Sequence, residues 1–290
     1  MTDVIVTTLN LAAIYGLVAV GISITWAGLG FLNLAHGTTF AIAGYGAWWA
    51  SVHISSSSPV VILAGIVTGA ACGVIICVAV FLPLYGKRNW EIRTLTATLA
   101  LSFIGANVLL EGFGPDYKAI PEIFGSGHFS FAGAIVTADK TGTVISAVVV
   151  LTLAVLALVR TRIGLGVRAL TQSSEGAALV GIDLRTTAFA ILATSGALVG
   201  LASTLLAQTF YVVPDAGYVP LVKGLVVAML GGLGSIRGTI AAALLVGGVE
   251  AATATYIGQE YVLVTLFLLI VVVLLVRPRG LGGVLEAARA

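Results

Sequence analysis

The sequence predicts an all-α protein, a polytopic transmembrane helical bundle of eight or nine spans that include broken or re-entrant helices. Three observations carry this. The 290-residue chain is 59% hydrophobic and only 9% charged, against about a quarter charged in soluble domains. No Asp, Glu, Lys or Arg occurs between Asp3 and Lys87, which leaves room for about three spans of about 20 residues each. Glycine occurs 36 times, and small residues let helices approach closely in lipid. A single transmembrane domain over residues 1–290 is expected.

The first segment, residues 4–26, follows Asp3 without a basic leader and is too long for a signal-peptide core, so it reads as a retained helix. "GLGFLN" and "HISSSSP" break the uncharged stretch after it. Further apolar segments lie at 34–52, 60–85, 94–110, 143–159, 186–211, 221–230, 239–256 and 261–276. The segment 221–230 is about half a span, as expected of a broken or re-entrant helix buried in protein or lining a cavity. Cys72 and Cys77 stand at i and i+5 on one helix, point to different faces and read as small packing residues rather than a disulfide.

Positive charge sets orientation. Lys87, Arg88 and Arg93 lie in one loop; Arg160, Arg162, Arg168 and Arg185 in a second; Arg277, Arg279 and Arg289 in the tail. All three are placed in the cytoplasm, which puts residues 112–140 and the N-terminus outside. Trp26, Trp48 and Trp49 fall near span ends, where interfacial aromatics collect.

The composition also excludes. A net charge of +2 gives no footprint for nucleic acid. Ion-coupled carriers and proton pumps place ionisable groups inside the membrane; here Glu111 and Glu250 fall near span ends, and His36 is read as the one exception. Any uphill transport must then draw its energy from elsewhere. The only Gly-Lys pair, Gly86–Lys87, is followed by Arg88 and lacks the phosphate-cradling pattern, so no ATP hydrolysis is expected in this chain. Neither a zinc-protease helix nor a nucleophile elbow is present, and His36, His53 and His128 are far apart. No catalytic residue and no metal site are expected.

Four stretches carry the most information. Between two spans, residues 160–185 spend 26 residues on a connection that usually takes 2–8. "GVRALTQSSEGAALVGI" can form a short helix, a turn and a second short helix, capped by Ser173 or Ser174, with Glu175 in its first turn and Gly181 as its stop. Such a hairpin reads either as a docking element or as a solvated loop. "GGLGSIRGT" cannot be a comfortable straight helix, because Gly231, Gly232, Gly234 and Gly238 each weaken one and Ser235 and Arg237 are polar. It reads either as a helix break at a permeation path or as a plain cytoplasmic turn. In "GFLNLAHGTTFAIAGY", Asn33 is a suitable cap for a helix beginning at Leu34, with His36 in its first turn and Gly37 keeping it thin. Asn33 and His36 then either lock the helix break or line the path. Thr94, Thr98 and Ser102 recur at i, i+4 and i+8, a polar face expected to meet other helices or a wet path rather than lipid.

"SSEGAALVGI" resembles the coupling motif of ABC importer permeases, with Gly176 where that motif has its first alanine. Taken in order with "GFLNLAHGTTFAIAGY", "RTRIGLGVRAL", "GGLGSIRGTIAAALLVGGVE" and "RPRGLGG", it is similar to the branched-chain amino acid permeases, more narrowly those of the LivH type. The resemblance covers about residues 4–283, while 113–142 match no motif of it. It implies a permease subunit of an ABC importer in a prokaryotic inner or plasma membrane. Its implied partners are a second, homologous permease, two cytoplasmic ATPases and an external substrate-binding protein. No cofactor binds this chain; ATP and Mg belong to the ATPases. Arg168, Glu175, Gly176, Ala177, Ala178 and Gly181 would couple to the ATPases. Asn33, His36, Gly37, Thr98, Ser102, Gly231, Gly232, Gly234, Ser235 and Gly238 would form the translocation path or its helix breaks. The implied cargo is leucine, isoleucine or valine. Related systems take urea, short amides or other amino acids, and a self-sufficient channel or secondary carrier is the alternative from another class.

Overall fold

The computed structural model describes residues 2–125, 127–131 and 134–282; Arg289 of the expected basic tail lies outside the described residues. Among them the chain is almost entirely helical. In order come α1 (Thr2–Leu29), α2 (His36–His53), α3 (Ser58–Ile76), a π-helical turn (Cys77–Phe81), α4 (Leu82–Leu84) and α5 (Trp90–Phe113). A short antiparallel hairpin follows, β1 (His128–Phe131) and β2 (Ala134–Thr137). Then come α6 (Ala138–Arg160), α7 (Arg162–Gln172), α8 (Ser174–Leu179), α9 (Leu184–Ala207), α10 (Tyr218–Gly231), α11 (Ile236–Tyr256) and α12 (Val262–Val276).

Seven of these helical stretches are long and apolar enough to cross a membrane: Asp3–Leu29, Ser58–Leu84, Trp90–Phe113, Ala138–Arg160, Leu184–Ala207, Ile236–Tyr256 and Gln259–Val276. One segment read from the sequence differs at its start: the helix expected from Leu34 starts at His36. The segment at 221–230, read as about half a span, is a 14-residue apolar helix, α10, too short to cross alone. Two further elements were not anticipated. The π-helical turn interrupts the Ser58–Leu84 span and sets buried Phe81 in a stacked contact with Phe31, ring centroids 5.5 Å apart. The β-hairpin occupies part of the segment expected outside, where an isolated bridge also joins Lys118 to Val212.

The core is built on α1, α9, α11 and α3. α1 runs antiparallel to α9: Gly21 meets Ser195, and Gly28 meets Ile191. It is also antiparallel to α11, with Gly16 against Ala243 and Gly247 against Thr8 and Ala12. Along α3, Gly65, Gly69 and Gly73 lie one turn apart and face Gly196 and Gly200 on α9. A methyl group on Gly69 would collide with the Gly196 carbonyl, and one on Gly196 with the Gly69 carbonyl. The two backbones therefore touch, which is how helices associate in lipid, where dispersion contact rather than the hydrophobic effect holds them. In contrast, α5, α6 and α12 turn apolar residues such as Phe103, Leu153 and Phe267 outward, as a surface facing hydrocarbon requires. The alternation of helix directions gathers the described basic loop residues, Lys87 to Arg93, Arg160 to Arg185 and Arg277 to Arg279, at one end, the end assigned to the cytoplasm.

Candidate functional site

The break before α2 is satisfied group by group. Gly30, at φ 75°, ends α1 and donates its amide to the Trp26 carbonyl at 2.9 Å. The Leu34 amide donates to Thr98 Oγ1 at 3.2 Å, and Thr98 passes its own proton to the Leu95 carbonyl at 2.9 Å. Asn33 Oδ1 accepts from the Ala35 amide at 3.0 Å. Asn33 is thus not the helix cap that the sequence predicts; it ties the turn preceding Ala35, which occupies the cap position without a side-chain bond. His36 is the first helical residue and is buried. A carbonyl only accepts, so His36 Nδ1 donates to the Asn33 carbonyl, 2.7 Å away. Its Nε2 lies 2.6 Å from Ser195 Oγ, and that hydroxyl also reaches the Gly21 carbonyl at 2.8 Å. The imidazole therefore pins the start of α2 to α9 and α1. His36→Ala strands the Asn33 carbonyl in the core, and a loss of about 1–3 kcal/mol is expected. Thermal unfolding of the purified chain in detergent checks this; an unchanged midpoint would count against the pin.

The polar face of α5 meets this break. Thr94 and Thr98 are fully buried while Ser102 is half-buried, and Gly105 lies against Thr38 in α2. Gly37 packs against Gly217, so that the first turns of α2 and α10 meet backbone to backbone.

The second glycine-rich break is a turn. Gly232 (φ 86°) and Gly234 (φ 89°) take backbone conformations open to glycine, and Ser235 caps α11 by accepting from the Gly238 amide at 3.2 Å. The carbonyls freed at the end of α10 are taken by the tail: Leu281 donates to Leu230 at 2.8 Å and Gly282 to Gly231 at 3.0 Å. Gly238 is held against Gly282. This turn lies beside Arg277 and Arg279, at the basic end of the bundle.

At the other end a cavity of about 450 Å³ opens among α1, α2, α9, α10 and α11. Thr7, Phe210, Tyr211 and Gln259 surround its outer part, near the N-terminal end of α1. Deeper in it stand Tyr15, Lys223 and Glu250. Lys223 Nζ donates to Glu250 Oε1 at 2.6 Å and to the Tyr15 hydroxyl at 2.9 Å. That hydroxyl in turn donates to Glu250 Oε1 at 3.1 Å. Lys223 is 7% exposed and Glu250 4%. The span interiors are therefore not almost free of charge, as the sequence reading has it; they hold a buried ion pair. None of Asn33, His36, Gly37, Thr98, Ser102, Gly231, Gly232, Gly234, Ser235 and Gly238 lines this cavity. The sequence did carry a signal for what does: Lys223 is a lone charge in "YVPLVKGLVVAML", and an ionisable residue within an apolar segment is a functional-site hypothesis by default. Glu250 looked terminal because α11 ends at Tyr256, yet it reaches Tyr15, midway along α1.

At the basic end, residues 160–185 form the helical hairpin expected of them. α7 seats Val167 and Leu170 in the core. Ser173 caps α8, its Oγ accepting from the Gly176 amide at 3.0 Å. Gly181, at φ 81°, stops the helix as its amide donates to the Ala178 carbonyl at 3.0 Å. Ala177 turns inward and is buried, whereas Arg168, Glu175, Ala178 and Gly181 face out and Gly176 is half-buried. Leu179 is 89% and Val180 74% exposed. Asp183 then caps α9, and its hydrogen bonds, first from the Thr186 side chain and then from the Thr186 and Arg185 amides, hold its carboxyl below the usual range.

Known proteins give this arrangement its context. The family model described as "Branched-chain amino acid transport system / permease component" matches residues 4–275. The chain is 29% identical to the high-affinity branched-chain amino acid transport system permease protein BraD of Pseudomonas aeruginosa, over 96% of this chain and 94% of that protein. It is 28% identical to the corresponding protein LivH of Escherichia coli K12, over 94% and 92%. It is also 28% identical to a probable branched-chain amino acid transport permease protein LivH of Methanocaldococcus jannaschii, over 92% and 88%. No solved structure matches. The family model spans every long apolar helix described above, from the first to the last, and on that ground the chain belongs to the family of permease components of branched-chain amino acid transport systems.

Proposed function

We propose that the chain is one of two membrane-spanning subunits of an ABC importer that carries leucine, isoleucine or valine inward across a prokaryotic membrane. A second, homologous permease completes the pathway. An external binding protein delivers the amino acid to the end where the cavity opens. Two cytoplasmic ATPases, which hold the ATP and Mg, drive alternation between outward- and inward-facing states. The helices of this chain move as rigid bodies and perform no covalent chemistry.

The observation that carries this reading, beside the family, is the α7–α8 hairpin. Leu179 and Val180 are among the most exposed large apolar residues of the chain, and they stand among arginines at the basic end, outside the hydrocarbon. A short amphipathic helix presented this way fits a groove on a partner. Its inner residues Val167, Leu170 and Ala177 join the core that holds α1 and α9, so a push on the hairpin reaches the helices that form the cavity wall.

Glu175→Arg reverses the charge in the first turn of α8, on its outer side, without touching the core. The expected result in proteoliposomes is a complex whose ATPase activity no longer drives leucine uptake, with uptake down about tenfold, the loss of one charge-assisted contact. Uptake at the unsubstituted rate would remove the hairpin from the coupling role. Recovery of the tagged chain from its native membrane with a second permease and P-loop ATPases tests the assembly itself. A chain that comes down alone, even after crosslinking, would favour a self-sufficient channel or carrier.

A further inference from the structure

We infer that the cavity within this single subunit is a binding site for a zwitterionic, apolar α-amino acid, with Lys223 receiving the carboxylate and Glu250 the ammonium. This deepens the importer reading above and rests on it.

Three observations converge. First, the cavity of about 450 Å³ lies within the ~300–1,000 Å³ of small-molecule sites, which pair apolar walls with a few placed polar groups. Phe40, Leu206, Phe210, Val213 and Val219 supply the apolar wall. Second, the polar groups are incompletely used. Glu250 Oε2 is buried and accepts no hydrogen bond among the described residues. Oε1, by contrast, accepts from both Lys223 and Tyr15. An ammonium has three donors, and Lys223 gives one to Glu250 and one to Tyr15, which leaves a third for a ligand. A buried acceptor without a partner is costly, and a site awaiting its ligand is one physical reason to retain one. Third, the charges balance. A zwitterion adds no net charge to a paired Lys and Glu, whereas an anion or a cation would leave one charge uncompensated in a low-dielectric wall. An uncharged amide would need neither charge.

The chemistry assigned is recognition only. The substrate ammonium donates to Glu250 Oε2, its carboxylate accepts from Lys223 Nζ, and its side chain lies against Phe40, Val213 and Val219. Tyr15 is a positioning residue: its hydroxyl bridges Lys223 and Glu250 and holds them on one side of the cavity.

The test uses the assembled transporter in proteoliposomes, with binding protein and radiolabelled leucine outside and ATP on the ATPase side. Two variants separate binding from folding. Lys223→Met/Glu250→Gln removes both charges together, which a buried pair tolerates far better than losing one partner. Ala254→Phe fills the cavity and leaves the pair in place. Both are expected to assemble as monodisperse complexes. The double variant is expected to lose about a hundredfold in leucine uptake, the equivalent of about one to two charge-assisted hydrogen bonds. The filled cavity is expected to lose at least about tenfold, the effect of a few misplaced methylenes in a tight pocket. If both variants assemble and carry leucine at the unsubstituted rate, the cavity is not on the path and the inference fails while the importer reading stands. If one variant does not assemble, the other decides by the same criterion. If the unsubstituted complex carries no leucine, the branched-chain reading fails first, and the inference with it.

Discussion

A Gly196→Leu chain is expected not to accumulate as folded protein. The side chain would have to enter the space that the Gly69 carbonyl and the amide of Gly73 occupy. A flexible neighbour could swing aside, but a backbone carbonyl in the middle of α3 is fixed by its own helix. The two helices would have to separate. Overpacking an ordinary core costs about 1–3 kcal/mol. Here the cost is larger, because the same separation pulls Gly65 and Gly73 away from Thr204 and Leu192 and so removes the close contact that holds α3 to α9. No hydrophobic gain offsets this in lipid, since hydrocarbon replaces hydrocarbon. Gly112→Ala is the matched control. That glycine lies in α5 with nothing near its missing methyl group, and alanine is expected to stabilise the helix by up to about 1 kcal/mol. Size-exclusion profiles of fluorescently tagged variants in mild detergent read both. A normal, monodisperse peak for Gly196→Leu would show that α3 and α9 do not touch as described.

Removing one partner of the buried ion pair is expected to be the most damaging change at the cavity. Glu250→Ala leaves Lys223 charged, 7% exposed and with only the Tyr15 hydroxyl as a described acceptor. Breaking a buried pair in this way costs about 3–5 kcal/mol, although the intact pair contributes little net stability, because desolvation cancels most of the attraction. The double variant Lys223→Met/Glu250→Gln removes both charges and is expected to recover most of that loss. The glutamine oxygen still accepts from Tyr15. Melting curves of Lys223→Met, Glu250→Gln and the double variant form a cycle whose interaction term isolates the pair. Additive losses would mean that Lys223 and Glu250 do not meet in the folded protein.

Much of the architecture was legible along the chain. The helix breaks at "GLGFLN" and "GGLGSIRGT" fall where the sequence places them, and the hairpin at residues 160–185 is capped by Ser173, one of the two serines expected, and carries the Gly181 stop. The role of Asn33 was less legible. Its side chain binds the Ala35 amide and not a helical one, and His36, the first helical residue, reaches back to the Asn33 carbonyl. The cavity was legible only in Lys223, a lone charge within an apolar segment. Lys223 and Glu250 are 27 positions apart, Tyr15 is 235 positions from Glu250, and none of the three belongs to a local pattern.

The sequence by itself determined which segments are apolar helices and which end is basic, though not the start of α2 or the π-helical turn after α3. Hydropathy, capping and charge act over one or two helical turns and need no partner. Only the tertiary structure decided that Gly69 faces Gly196, that His36 meets Ser195 and that Lys223 finds Glu250 beside an open cavity. Those outcomes depend on which helices become neighbours, and that is set by close contact between surfaces far apart in the chain.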